Sequence, residues 1–94
     1  MADRLSDIAI QRALGTLTGW SRKGDTITKT YTLPTFLDGI AFVQRIAMEA
    51  EALNHHPDLD IRYTKIIVTL STHDAGGITA LDLDLAAKID AAAG

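Results

Sequence analysis

Two hydrophobic periods alternate along the chain. Residues 3–14 place Leu5, Ile8, Ala9 and Leu14 at helical spacing, and Gly15 supplies a stop, which predicts a first amphipathic helix. Over residues 26–33 the period falls to two. Ile27, Tyr31 and Leu33 point one way while Thr26, Thr28, Thr30 and Thr32 point the other, as expected of a half-buried strand. Lys29 breaks the apolar face, which puts the strand near a sheet edge; Gly24-Asp25 predicts a hairpin back to residues 17–23. After Pro34, Thr35 can cap a helix over residues 35–53. Phe36, Ile40, Val43, Ala47 and Ala50 form its stripe, widened by Leu37, Phe42, Ile46 and Leu53. Asn54 tolerates the left-handed conformation that closes helices, and Pro57 cannot continue one.

Residues 59–63 alternate again. Residues 65–72 set Ile66, Val68 and Leu70 on one face and Ile67, Thr69 and Ser71 on the other, with His73 ending this last strand. Gly76-Gly77 marks a loop. Thr79-x-x-Asp82 reads as a capping box opening an alanine-rich helix led by Leu81, Leu85 and Ile89. The order α-β-β-α-β-β-α implies an α+β domain spanning residues 1–94, with helices packed on one face of an antiparallel sheet.

Composition narrows the function. Nine Lys and Arg against twelve Asp and Glu give a net charge of −3, which suits neither nucleic acid nor an anionic membrane surface. No cysteine is present, so disulfides, thiol nucleophiles and Cys-ligated metals are excluded. No apolar run approaches the ~20 residues of a membrane span, and no secretory core stands near the start; a cytoplasmic protein is expected. So small a domain gains from oligomerising.

The chemistry rests on three histidines, His55, His56 and His73. An ordinary loop histidine needs no function, but an adjacent pair offers nothing to packing and is suited to exchanging protons near neutrality. Pro57 stiffens the backbone beside the pair, and Glu51, four residues before His55, lies one turn back on the same face if the helix persists that far. Metal ligation is disfavoured: there is no His-x-x-x-His pair, and adjacent rings rarely aim at one ion. Ser6, Ser21 and Ser71 occupy no nucleophile turn, and Gly76-Gly77 lacks the spacing and lysine of a phosphate loop. Acid–base work on a small molecule, with neither cofactor nor metal, is what remains.

The string Glu51-Ala-Leu-Asn-His55-His56-Pro57, then Tyr63, His73 and Asp82 at fixed intervals, resembles the signature of the pterin-4a-carbinolamine dehydratases. Leu70-Ser71-Thr72-His73, Gly77-Ile78-Thr79, Gly19-Trp20 and the residues 36–50 are similar too, so the resemblance covers essentially the whole chain. It implies a four-stranded antiparallel sheet with three helices on one face. It also implies a hydro-lyase that dehydrates 4a-hydroxytetrahydrobiopterin, or a related pterin, to the quinonoid dihydropterin, recycling the cofactor of aromatic amino acid hydroxylases. By the same resemblance His55, His56 and His73 are catalytic, and the segments His55-His56-Pro57 and Thr72-His73-Asp74-Ala75 hold the pterin. Glu51, Asp74 and Asp82 are expected to support the histidines, Asp82 having its capping role as well. Trp20 and Tyr63 are expected in the core sooner than against the ligand, with Trp20 kept as a supporting residue. A homodimer or homotetramer is implied, with functional coupling to a hydroxylase. Two other roles attach to the family: some animal members stabilise transcription-factor dimers, and some microbial relatives are connected with molybdenum cofactor metabolism as pterin-binding proteins.

Overall fold

The computed structural model describes residues 3–94 of the chain; Met1 and Ala2, included in the expected 1–94 domain, lie outside the described residues. Its elements run α1 (Asp7–Leu14), β1 (Ser21–Lys23), β2 (Thr26–Thr32), α2 (Phe36–Leu53), β3 (Asp58–Arg62), β4 (Lys65–Leu70), a short 3-10 turn (His73–Ala75) and α3 (Ala80–Ala92). Local chemistry sets most boundaries. The Thr35 hydroxyl accepts from the Asp38 amide at the start of α2, and Asn54, at φ 49°, closes that helix in the left-handed region. The sheet is antiparallel throughout, in the order β1-β2-β4-β3. β3 and β4 are therefore joined by a tight turn at Tyr63-Thr64, and α2 carries the chain from β2 across to the far edge.

All three helices contribute to one core. Ile10 of α1, Phe42, Ile46 and Ala50 of α2, and Leu85, Ala86 and Ile89 of α3 bury themselves with Ile27, Tyr31, Ile66, Val68 and Leu70 of the sheet. This is the expected α+β architecture with the helices on one face. The α2 stripe is turned slightly from its expected position. Gly39, Phe42, Ile46 and Ala50 face inward, while Phe36 and Ala47 are exposed. Gly39 permits the approach, since a Cβ there would already lie 3.4 Å from the Ile66 Cδ1. Among the described residues no helix is long and apolar enough to cross a membrane.

Three expectations are corrected. β2 is an inner strand, not an edge: Lys29 stands on the core face because its ammonium has partners there, the Asp90 carboxylate at 2.8 Å and the Thr18 carbonyl at 2.8 Å. Tyr63 is no core residue. It sits 76% exposed in the β3–β4 turn at φ 53°, its ring stacked on Phe36. His73 does not end a strand, because β4 stops at Leu70 and the chain tightens into the 3-10 turn.

Asp90 gathers more than Lys29. The Trp20 indole donates to both its oxygens at 3.1 and 3.2 Å, and the Tyr31 hydroxyl donates to Oδ1. Trp20, Tyr31 and Phe42 then pack edge to face in succession. One carboxylate thus ties the C-terminal part of α3 to β2. Burial first, and then the hydrogen bond and negative charge of Asp90, push the Tyr31 phenol well above its ordinary 10.0. Because the protonated phenol is the form the fold favours, this contribution to stability is complete below pH 10.0 and is lost as pH rises beyond it. Tyr31→Phe is accordingly expected to flatten the alkaline arm of the stability-versus-pH curve, measured by urea denaturation between pH 8 and about 11. An unchanged alkaline arm would contradict the role given to Tyr31.

Candidate active site

The left-handed turn at Asn54 decides where the histidines go. Had α2 continued, His55 would have lain one turn above Glu51. The reversal instead separates the pair: His56 Nε2 meets the Glu51 carboxylate, and His55 turns under the sheet toward α3. The helix does not persist to His55, so Glu51, expected to support a histidine, partners His56. Pro57 follows and leads directly into β3.

His55 is 9% exposed, and its Nε2 lies 2.5 Å from Oδ1 of Asp82, which has no exposed surface at all. The other carboxylate oxygen accepts from the Thr79 amide and the Thr72 hydroxyl, each at 2.9 Å. A carboxylate so surrounded acts only as an acceptor, so the His55 proton is on Nε2. In the neutral ring Nδ1 then carries the lone pair. Among the described residues no fully buried polar side-chain atom lacks a partner and none partners Nδ1, so Nδ1 is not fully buried, and His55 lines the open cleft. Thr72 and Thr79 complete the hub. The Leu81 amide donates to the Thr79 hydroxyl at 3.2 Å, and the two threonine hydroxyls lie 2.7 Å apart. Since Thr72 gives its one proton to Asp82, Thr79 must donate to Thr72.

β4 and the following turn bring the third histidine. Asp58, at the start of β3, pairs with Thr69, so the end of β4 lies beside the His55-His56 segment. One cleft of about 260 Å³ is lined by Asn54, His55, His56, Ser71, Thr72, His73 and Asp74. That is close to the lower end of ligand-binding cavities, which begin at about 300 Å³. The His73 ring is exposed. Of the residues singled out in the sequence, His55, His56, Thr72, His73 and Asp74 line the cleft; Glu51 and Asp82 stand behind two of the histidines. Pro57 and Ala75 flank the cleft in sequence without lining it. Trp20 lies apart, bound to Asp90 in the other polar cluster. Asn54 and Ser71 line the cleft without having been singled out for it. The sequence signal for Asn54 is that of a helix cap, and the signal for Ser71 is its place two residues before His73, where hydrogen bonding is expected sooner than nucleophilic attack. Among the described residues no three His, Asp or Glu side chains group as they would around a metal ion.

A small α+β sandwich with a cleft ringed by histidines, two of them backed by carboxylates, defines a candidate acid–base catalyst for a compact polar ligand. A family model described as Pterin 4 alpha carbinolamine dehydratase matches residues 3–92, and the chain belongs to that family. A relative from Roseiflexus sp. (strain RS-1) is 57% identical over 90 residues, covering 96% of this chain and 97% of its own. Another, from Mycobacteroides abscessus, is 51% identical over 86 residues, 92% of each chain; both are named, provisionally, as pterin-4-alpha-carbinolamine dehydratases. The crystal structure of a transcriptional coactivator/pterin dehydratase from Brucella melitensis superposes with a TM-score of 0.94 at 35% identity, covering 98% of this chain and 100% of that one. A pterin dehydratase-like protein identified as a RuBisCO assembly factor in the alpha-carboxysome shares the fold at a TM-score of 0.66 and 24% identity, over 80% of this chain and 87% of its own.

The hub makes a sharp demand on position 82. Asparagine has the same shape but one acceptor oxygen, so it cannot accept from His55 on one side and from Thr72 and Thr79 on the other. Asp82→Asn is expected to lower stability by about 1–3 kcal/mol in urea denaturation, because the amide donates where the carboxylate accepted and His55 must shift its proton to Nδ1 to meet it. A loss below about 0.5 kcal/mol, the scale of an ordinary surface change, would contradict the hub.

Proposed function

We propose that the protein removes water from a 4a-hydroxytetrahydropterin, 4a-hydroxytetrahydrobiopterin being the expected member, to give the quinonoid dihydropterin, and so recycles the cofactor of aromatic amino acid hydroxylases. The observation that carries the reading is the meeting of His55, His56 and His73, from two separate stretches of chain, around one cleft. Membership of the dehydratase family supports it.

In the reaction the 4a carbon–oxygen bond breaks as the hydroxyl takes up a proton and departs as water. The adjacent ring nitrogen gives up its proton as a carbon–nitrogen double bond forms. Each half needs one proton-transfer group. His55, donating from Nε2 to Asp82, turns a lone pair at Nδ1 toward the ligand and is assigned the base. His73, whose ring has no hydrogen-bonding partner among the described residues, is assigned the acid that protonates the leaving hydroxyl. His56, held by Glu51, positions the ring by hydrogen bonding. No cofactor or metal enters these steps.

The test is dehydration of synthetic 4a-hydroxypterin, followed against the spontaneous rate. His55→Ala and His73→Ala are each expected to lower kcat by about 10²–10⁴-fold, the usual worth of a positioned acid or base. Near-wild-type rates in both would overturn the acid–base assignment. Tight pterin binding by a wild-type protein without turnover would favour a pterin-binding role in molybdenum cofactor metabolism instead.

A protein-binding role beside catalysis is supported by the coactivator description of the Brucella melitensis protein and by the outer face of α2. Leu37 and Met48 stand 75% and 74% exposed there, three helical turns apart on one side. That face suits self-association, and a homodimer or homotetramer is the assembly we assign. Light scattering is expected to give two or four times the 10.1 kDa of one chain, and Leu37→Glu with Met48→Glu to return it to the monomer. A monomeric wild-type protein would contradict the assignment.

A further inference from the structure

We infer that the segment Arg4-Leu5 is a strap that positions the His73 turn, and that residue 77 is glycine because the Arg4 stem lies across it. The functional half of this inference rests on the dehydratase reading above; the geometric half does not.

The turn carrying His73 is closed at its base by a two-way bridge. Thr72 N–H donates to the Gly77 carbonyl at 2.8 Å and Gly77 N–H donates back at 3.3 Å. Immediately beyond, the buried Ile78 accepts a 2.8 Å hydrogen bond from the Leu5 amide. Arg4 lies over the same spot: a Cβ built on Gly77 would stand 2.6 Å from its Cδ and 3.1 Å from its Cγ. The backbone at Gly77 does not require glycine, since the positive-φ glycines are Gly19, Gly24, Gly76 and Gly94. What excludes a side chain at 77 is therefore Arg4 and not the local conformation.

The strap is itself tethered. Ser6 caps α1, and Asp7 pairs with Arg22 of β1 at 2.8 Å. Leu5 packs against the core, and the segment borders a cavity of about 470 Å³ that Ile10 and Ile78 also line. The strap's contacts end on the bridge partner of Thr72, whose hydroxyl binds Asp82 and whose neighbour is His73. Arg4 and Gly77 are thus positioning residues for the site.

A double-mutant cycle tests this. In wild-type background Gly77→Ala must push the Arg4 stem aside. Amide exchange at Ala75 and Gly76, whose hydrogen bonds hold the turn, is expected to quicken. The kcat for 4a-hydroxypterin is expected to fall about tenfold with KM held within about twofold, as for a misplaced catalytic group. In an Arg4→Ala background, Gly77→Ala is expected to change neither quantity further, and Arg4→Met, which keeps the stem, is expected to behave as wild type. An equal cost of Gly77→Ala in both backgrounds, or Arg4→Met as damaging as Arg4→Ala, would overturn the proposal. If wild-type protein proves inert toward carbinolamines, the dehydratase reading fails, and the exchange measurements still decide whether the strap exists.

Discussion

A carboxylate with no exposed surface sits where three parts of the chain meet, and the site depends on it. Asp82 belongs to the first turn of α3, but its oxygens reach the end of β4 through Thr72 and the segment after α2 through His55. Burying a charge is costly unless every acceptor position is used. Here one oxygen serves His55 and the other serves Thr72 and the Thr79 amide, so removing any partner leaves the others exposed to that cost. The same bonds that satisfy the carboxylate also set the tautomer and direction of the His55 ring. Stability and chemistry share one set of hydrogen bonds.

The rest of the fold delivers the partners to that point. Asn54 reverses the chain in the left-handed region and Pro57 stiffens its exit, which sends adjacent histidines to different carboxylates. The β1-β2-β4-β3 order lays β4 beside β3, so the chain leaving β4 emerges next to the histidine pair. α3 is anchored near both ends by acids: Asp82 binds the site, and Asp90 gathers Trp20, Lys29 and Tyr31 from the sheet side. A helix pinned twice has little freedom to slide and carry the first carboxylate away from His55.

What could be read from the sequence was what depends on near neighbours. The Thr35 cap, the Asn54 stop and the Thr79–Asp82 capping box each involve residues within a few positions of one another, and each stands as read. Period-two and helical patterns likewise gave the α+β order. Long-range pairings were not legible. His55 and Asp82 are 27 residues apart, so the capping box has a local signature while the support Asp82 gives a histidine is implied only by the family resemblance. Lys29 was misplaced at an edge because its compensating acid, Asp90, is 61 residues away. Tyr63 was assigned to the core on residue type, whereas a two-residue turn put it outside. Which histidine Glu51 supports was not legible either: helical spacing would give it His55 only if the helix persisted, and the reversal at Asn54 gives it His56. The convergence of the cleft itself came through the family resemblance, since three histidines in a sequence carry no distance between them.

On the proposed function, His55 and His73 face one flat heterocycle from two sides of the cleft, with Asp82 fixing the first. A crystal structure with 7,8-dihydrobiopterin, a reduced relative of the product, tests it most directly. The ring is expected in the cleft between the Asn54–His56 and Ser71–Asp74 segments, with His55 Nδ1 and a His73 ring nitrogen within about 3.5 Å of its polar or reacting atoms and the His55–Asp82 bond intact. A pterin bound elsewhere on the molecule, or seated in the cleft with His55 turned so that Nδ1 faces Asp82, would contradict the account.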